Sequence, residues 1–105
     1  MKMNIPDKIK IGGKIYKVEI TDNLVLGCDY SGECVESELI IRVRPNLAEG
    51  HKESVFIHEI LHAIYDFLGY SKHDEKKIDE LANTLHMVIQ DNPNIFQKEG
   101  EANNA

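Results

Sequence analysis

Hydrophobic residues change their spacing twice along this chain. From residue 7 to 20 they alternate with polar ones: Ile9, Ile11, Ile15, Val18 and Ile20 are separated mainly by lysines. A period of two is the mark of a half-buried strand. Gly12-Gly13 interrupts the run, which predicts two short strands, about 7–11 and 14–21, joined by a tight hairpin turn. Leu24-Val25-Leu26 fits a brief strand or a helical turn equally well. Residues 27–36, with two Gly, an Asp, a Ser and both Cys, read as a loop. Alternation returns from Ser37 to Arg44, with Leu39, Ile41 and Val43 on one side, and Pro45 stops it. The spacing then becomes helical. One helix is expected from about His51 to Leu68, with Gly69 as its stop. A second is expected after a capping box at Ser71 and Asp74, running to about Ile89 with Ile78, Leu81, Ala82, Leu85, Val88 and Ile89 as its apolar stripe. This order predicts an α+β domain over 1–96: a small antiparallel sheet of about three strands packed against two main helices. The polar stretch 97–105 reads as a disordered tail.

Charge and length narrow the function classes. A chain of 105 residues with net charge −6 lacks the basic footprint of a nucleic-acid binder. Lys8, Lys10, Lys14 and Lys17 read as the solvent face of the first strands. No apolar run is long enough to span a bilayer, and no secretory segment opens the sequence. A cytoplasmic, membrane-free protein is expected. Cys28 and Cys34 fit that compartment as free thiols, because their spacing matches neither a zinc ribbon nor a redox motif.

The chemistry concentrates in His58-Glu59-Ile60-Leu61-His62. Residues four apart on a helix share one face, so two imidazoles converge on one metal ion of the Zn²⁺ type. Glu59 is turned about 100° from His58 and so flanks the metal without binding it. There it can serve as general base toward water. From Val55 to Tyr65 only Glu59 carries formal charge. A helix so wrapped in apolar residues is buried, and its polar groups need partners. The alternative is a core helix whose histidines bond to backbone and whose glutamate finds a cation.

A catalytic zinc needs a third protein ligand. If the second helix starts near Lys72 and doubles back, the level of the metal falls at Ile78 to Glu80. Asp79 borders the apolar stripe and is the first choice; Glu75, one turn earlier with a longer side chain, is the alternative. Asn83 and His86 lie on the same side and are candidate supports for a ligand, as is Asp66, one turn after His62. His51 and His73 read as surface residues. Tyr65 is a weak candidate to stabilise an oxyanion.

The stretch Val55 to Ile64, followed by Asp79-Glu80-Leu81-Ala82-Asn83, resembles the minimal gluzincins, compact zinc peptidases with an acidic third ligand on a downstream helix. Over about residues 8–93 the chain resembles small metallopeptidase-like proteins common in bacteriophage genomes. The resemblance implies a zincin-like fold, a zinc cofactor and a protein or peptide substrate, in the host cytoplasm if phage-encoded. It carries His58, His62 and Asp79 to the metal and Glu59 to the base. Aspartate at 79 departs from the glutamate usual there. A peptide substrate is expected to pair along Leu39–Val43. The rival expectation is a zinc-stabilised module that binds a protein and cleaves nothing.

Overall fold

The computed structural model describes residues 3–27 and 29–96. Strands β1 (Lys8–Ile11) and β2 (Lys14–Ile20) form the expected hairpin. Gly12 and Gly13 both take positive φ, at 58° and 84°, the conformation a two-residue turn demands and side chains resist. Strand β3 is Gly32–Val35 and β4 is Ile40–Val43. The helices are α1 (Glu49–Phe67) and α2 (Glu75–Asp91).

The architecture is α+β, with a larger sheet than the sequence suggested. Four strands lie in the order β1-β2-β4-β3. The sheet is mixed, because β2 and β4 run parallel, Val18 opposite Ile41. The extra strand, β3, comes from the stretch read as loop. It pairs antiparallel with β4, Cys34 opposite Ile41. Reversing direction between them takes the residues expected to begin the last strand: Glu36–Glu38 form a 3-10 turn and Leu39 adopts φ 55°.

One face of the sheet supplies Tyr16, Val18, Ile41 and Val43 to the core, against Phe56 and Ala63 of α1. Alternation puts these residues on a common face. α2 packs on α1, where Ile78 and Ala82 are its buried residues. α1 is thus covered by the sheet on one side and α2 on another, which accounts for its apolar circumference. Leu81 and Leu85, expected in the stripe, remain 46% and 38% exposed.

Gly69 ends the first helical segment at φ 86°, as expected. The start of α2 differs from expectation. Asp74, not Ser71, is its N-cap, and the Asp74 carboxylate accepts from the Lys77 amide at 3.1 Å. The helix therefore begins about three residues later than the sequence suggested. Cys34 is a free thiol. Cys28 and the tail from residue 97 lie outside the described residues. No helix among the described residues is long and apolar enough to cross a membrane.

Candidate metal centre

His58 and His62 face the first turn of α2. Glu75 opens that turn, and its carboxylate lies against both rings. Glu75 Oε1 is 2.8 Å from His62 Nε2, and Oε2 is 3.2 Å from His58 Nε2. One donor atom from each of the three residues lies within 4.8 Å of the others. Bonds of about 2.0–2.1 Å to a tetrahedral ion set ligand atoms roughly 3.3–3.5 Å apart; the two separations from Glu75, 2.8 and 3.2 Å, are near that span, so the trio could hold a metal ion of this size. The acid also sits at a helix N-terminus, where negative charge is favoured.

Asp79, one turn further on the same face, stands elsewhere. Its Oδ1 is 3.6 Å from His58 Nδ1, the ring nitrogen turned away from Glu75. The reason lies in the connector. Residues 68–74 already double back, so α2 begins level with His62 and Glu75 needs no climb. A start near Lys72 had placed Asp79 at that level.

The other expected supports are distributed along the same helix pair. Asn83 accepts from Ser54 Oγ, one turn from His58 and away from the three donors. His86 lies 2.8 Å from Glu53 Oε1. Glu53 is 2% exposed and also accepts from the Met3 amide and Gln90. Burial opposes its ionisation, but these donors outweigh burial and hold its carboxyl below the usual range. Asp66 does not touch His62 directly. Its Oδ1 is 3.1 Å from His73 Nε2, and His73 Nδ1 is 2.7 Å from His62 Nδ1. His73, read as a surface residue, is thus part of the site. The short connector was the signal: a histidine just before the cap of a doubling-back helix returns to the end of the previous one. Tyr65 lies against the rings of Tyr70 and His73, on the connector side.

Burial pushes the His62 imidazole below its ordinary value; His58 and His73 add to this, while Glu75 and Asp66 oppose it. A neutral ring is the form that binds metal.

Glu59 sits on a different side of α1, beneath β3, and is 6% exposed. Gly32 makes that approach possible: a Cβ there would lie 3.4 Å from Glu59 Oε2 and 2.6 Å from the Val55 side chain. Burial pushes the Glu59 carboxyl up to about 8, and the carboxylates of Glu75 and Glu33 add to the shift. The two histidines, Glu59 and Glu75 share a cleft of ≈ 360 Å³ with Leu26, Tyr30, Gly32, Glu33 and Cys34. Sequence reasoning missed this wall because it belongs to the loop and strand before β4. Glu33 fastens it. Its carboxylate accepts from the Val25 and Leu26 amides at 2.9 and 3.0 Å and from Arg42 at 2.7 Å. Arg44 donates to the Tyr30 and Gly27 carbonyls and holds the other side of the same loop. Burial, with Glu59 and Asp66 nearby, pushes the Cys34 thiol up to about 12, which disfavours its thiolate form.

The chain matches no protein-family model, no curated protein and no solved structure.

Proposed function

We propose that this chain is a zinc-dependent hydrolase of the metallopeptidase kind, with His58, His62 and Glu75 holding the metal and Glu59 as general base. The observation that carries the reading is a division of labour between two acids. Glu75 faces both imidazoles, whereas Glu59 is kept off the donor cluster and held in the cleft beside it. A site built only to bind metal has no use for the second acid. Asp79, beside His58 Nδ1, then supports a ligand instead of being one.

Zinc held by His58, His62 and Glu75 would supply Lewis acidity, enough to lower the pKa of water toward about 7 and to polarise a carbonyl. Glu59 takes the proton from water and returns it to the leaving amine. A cation near Glu59 opposes the burial and the like charges that hold its proton, so metal binding favours the basic form. The substrate is an extended peptide. β4 is paired on both sides and so cannot receive it, contrary to the expectation for Leu39–Val43. β3 is the terminal strand, borders the cleft, and on its outer side pairs with no other strand among the described residues, which leaves that edge for main-chain pairing. Cys34 as a free thiol fits the cytoplasm.

The second reading is a zinc-stabilised binding module. The modest size of the fold favours it: a chain of 105 residues builds a limited core and gains stability from a metal staple. Glu59→Gln decides between the two. Wild type and variant are compared for zinc content by elemental analysis and for cleavage of a peptide library by mass spectrometry. The hydrolase reading expects one zinc per chain in both and a loss of cleavage on the order of 10²-fold or more in the variant. Zinc in both with cleavage in neither supports the binding module. No zinc in the wild type removes both readings.

A further inference from the structure

An imidazole that gives one nitrogen to a metal keeps its proton on the other, and that N–H needs an acceptor. In His62, Nε2 faces Glu75 and Nδ1 faces a second imidazole, His73 Nδ1, at 2.7 Å. The two rings are nearly parallel, with planes 19° apart. Behind them, His73 Nε2 is 3.1 Å from Asp66 Oδ1. Tyr65 packs against the His73 ring, their centroids 5.3 Å apart.

A neutral imidazole has one proton, so an N–H···N bond between two such rings has a direction. If His73 donates to His62, the His62 proton must sit on Nε2, where the metal would bind. His73 Nε2 is then a bare lone pair facing the Asp66 carboxylate, an acceptor against an acceptor. If His62 donates, His73 accepts at Nδ1, carries its own proton on Nε2 and gives it to Asp66. Only the second arrangement satisfies both bonds with neutral rings, and it leaves the His62 Nε2 lone pair free. Asp66 selects between them.

We propose that His73 is a positioning residue of the metal centre: anchored by Asp66, it accepts the His62 Nδ1 proton and so presents Nε2 to the metal in a fixed tautomer and orientation. The inference rests on the reading of His62 as a ligand. It gives the connector between the helices a task, because Asp66 alone does not contact the His62 ring and His73 carries its effect there.

The test measures zinc affinity of the full chain by competition with a chromogenic chelator, in wild type, His62→Ala, His73→Phe and His73→Gln. Phenylalanine keeps an aromatic ring against Tyr65 and removes the acceptor. Glutamine offers a carbonyl to His62 and an amide N–H to Asp66. His73→Phe is expected to weaken zinc binding about 10–100-fold, with His73→Gln within a few-fold of wild type. The metal-free melting temperatures of these two variants are expected to agree. An independent reading comes from zinc-loaded wild type with ¹⁵N-labelled histidine, where a scalar coupling across the N–H···N bond joins the two Nδ1 nitrogens. Wild-type affinity in His73→Phe, or absence of that coupling, overturns the proposal; if His73→Phe does not fold, the coupling decides. Failure of wild type to bind zinc, or undiminished binding in His62→Ala, overturns instead the metal reading on which it rests.

Discussion

Two buried carboxylates are held by different donors: Glu33 by two backbone amides and Arg42, Glu53 by the Met3 amide, Gln90 and His86. Glu33, 2% exposed, loses solvent on folding, which disfavours its charge. Two amides and Arg42 outweigh that loss, so its carboxyl titrates below the usual range. The folded pKa is depressed, so the unfolded chain binds more protons as the solution becomes acidic. Glu33 therefore contributes stability above its ordinary pKa near 4.5, and that contribution is lost as pH falls through the lower folded value. Urea midpoints of wild type against Glu33→Gln from pH 7 downward are expected to show the largest difference at neutral pH, narrowing into acid. The ligand set makes a second expectation at this scale. Glu75→Ala should weaken zinc binding strongly in a chelator competition, and Asp79→Ala by about the 10–100-fold of a lost supporting partner or less. His58, Glu59 and His62 were legible in the sequence because helix geometry relates them locally. Choosing between Glu75 and Asp79 was not possible on the same grounds, because it depends on how far the connector climbs before the helix starts. His73 was missed for the same reason, although its place just before the cap of a doubling-back helix was a signal.

At the scale of elements, β3 is the instructive case. A glycine and a glutamate at its start break the alternation that announces a strand. Both are there for tertiary reasons: Gly32 lets the strand close on Val55 and Glu59, and Glu33 is buried because it binds the preceding loop. Periodicity reads a residue as polar and therefore outside; it has no access to a partner eight residues away that makes a buried carboxylate acceptable. The two helices and the first hairpin were legible because their signals are local: repeat spacing, a Gly-Gly turn and a Gly stop. Gly32→Ala tests the contact. Its Cβ would come within 2.6 Å of the Val55 side chain and 2.9 Å of the Arg42 carbonyl oxygen, and the second is backbone that cannot swing aside. Overpacking of this kind typically costs about 1–3 kcal/mol. Denaturant unfolding should show that loss, with zinc affinity preserved because no proposed ligand lies on β3.

For the molecule as a whole, the proposed ligands and the residue behind them all lie between His58 and Glu75, within one helix–turn–helix. The burial of Glu59 depends on the sheet. An ion held by residues so near in sequence closes only short segments of chain, and the entropy of closing a loop rises with its length. Zinc capture therefore demands little of the rest of the chain. As denaturant is added to the zinc-loaded chain, the sheet is expected to open while the helical pair keeps the proposed ion, so the cleft loses its wall first. Peptide cleavage should disappear at a lower urea concentration than zinc release, when the two are followed on the same sample by a quenched peptide and a zinc indicator. Simultaneous loss would mean that the strands and the helices unfold as a single cooperative unit. With separate transitions, the proposed metal site would be a property of the helical pair and the proposed reactivity a property of its docking, so selection could alter the sheet, and with it what is cleaved, without rebuilding the centre.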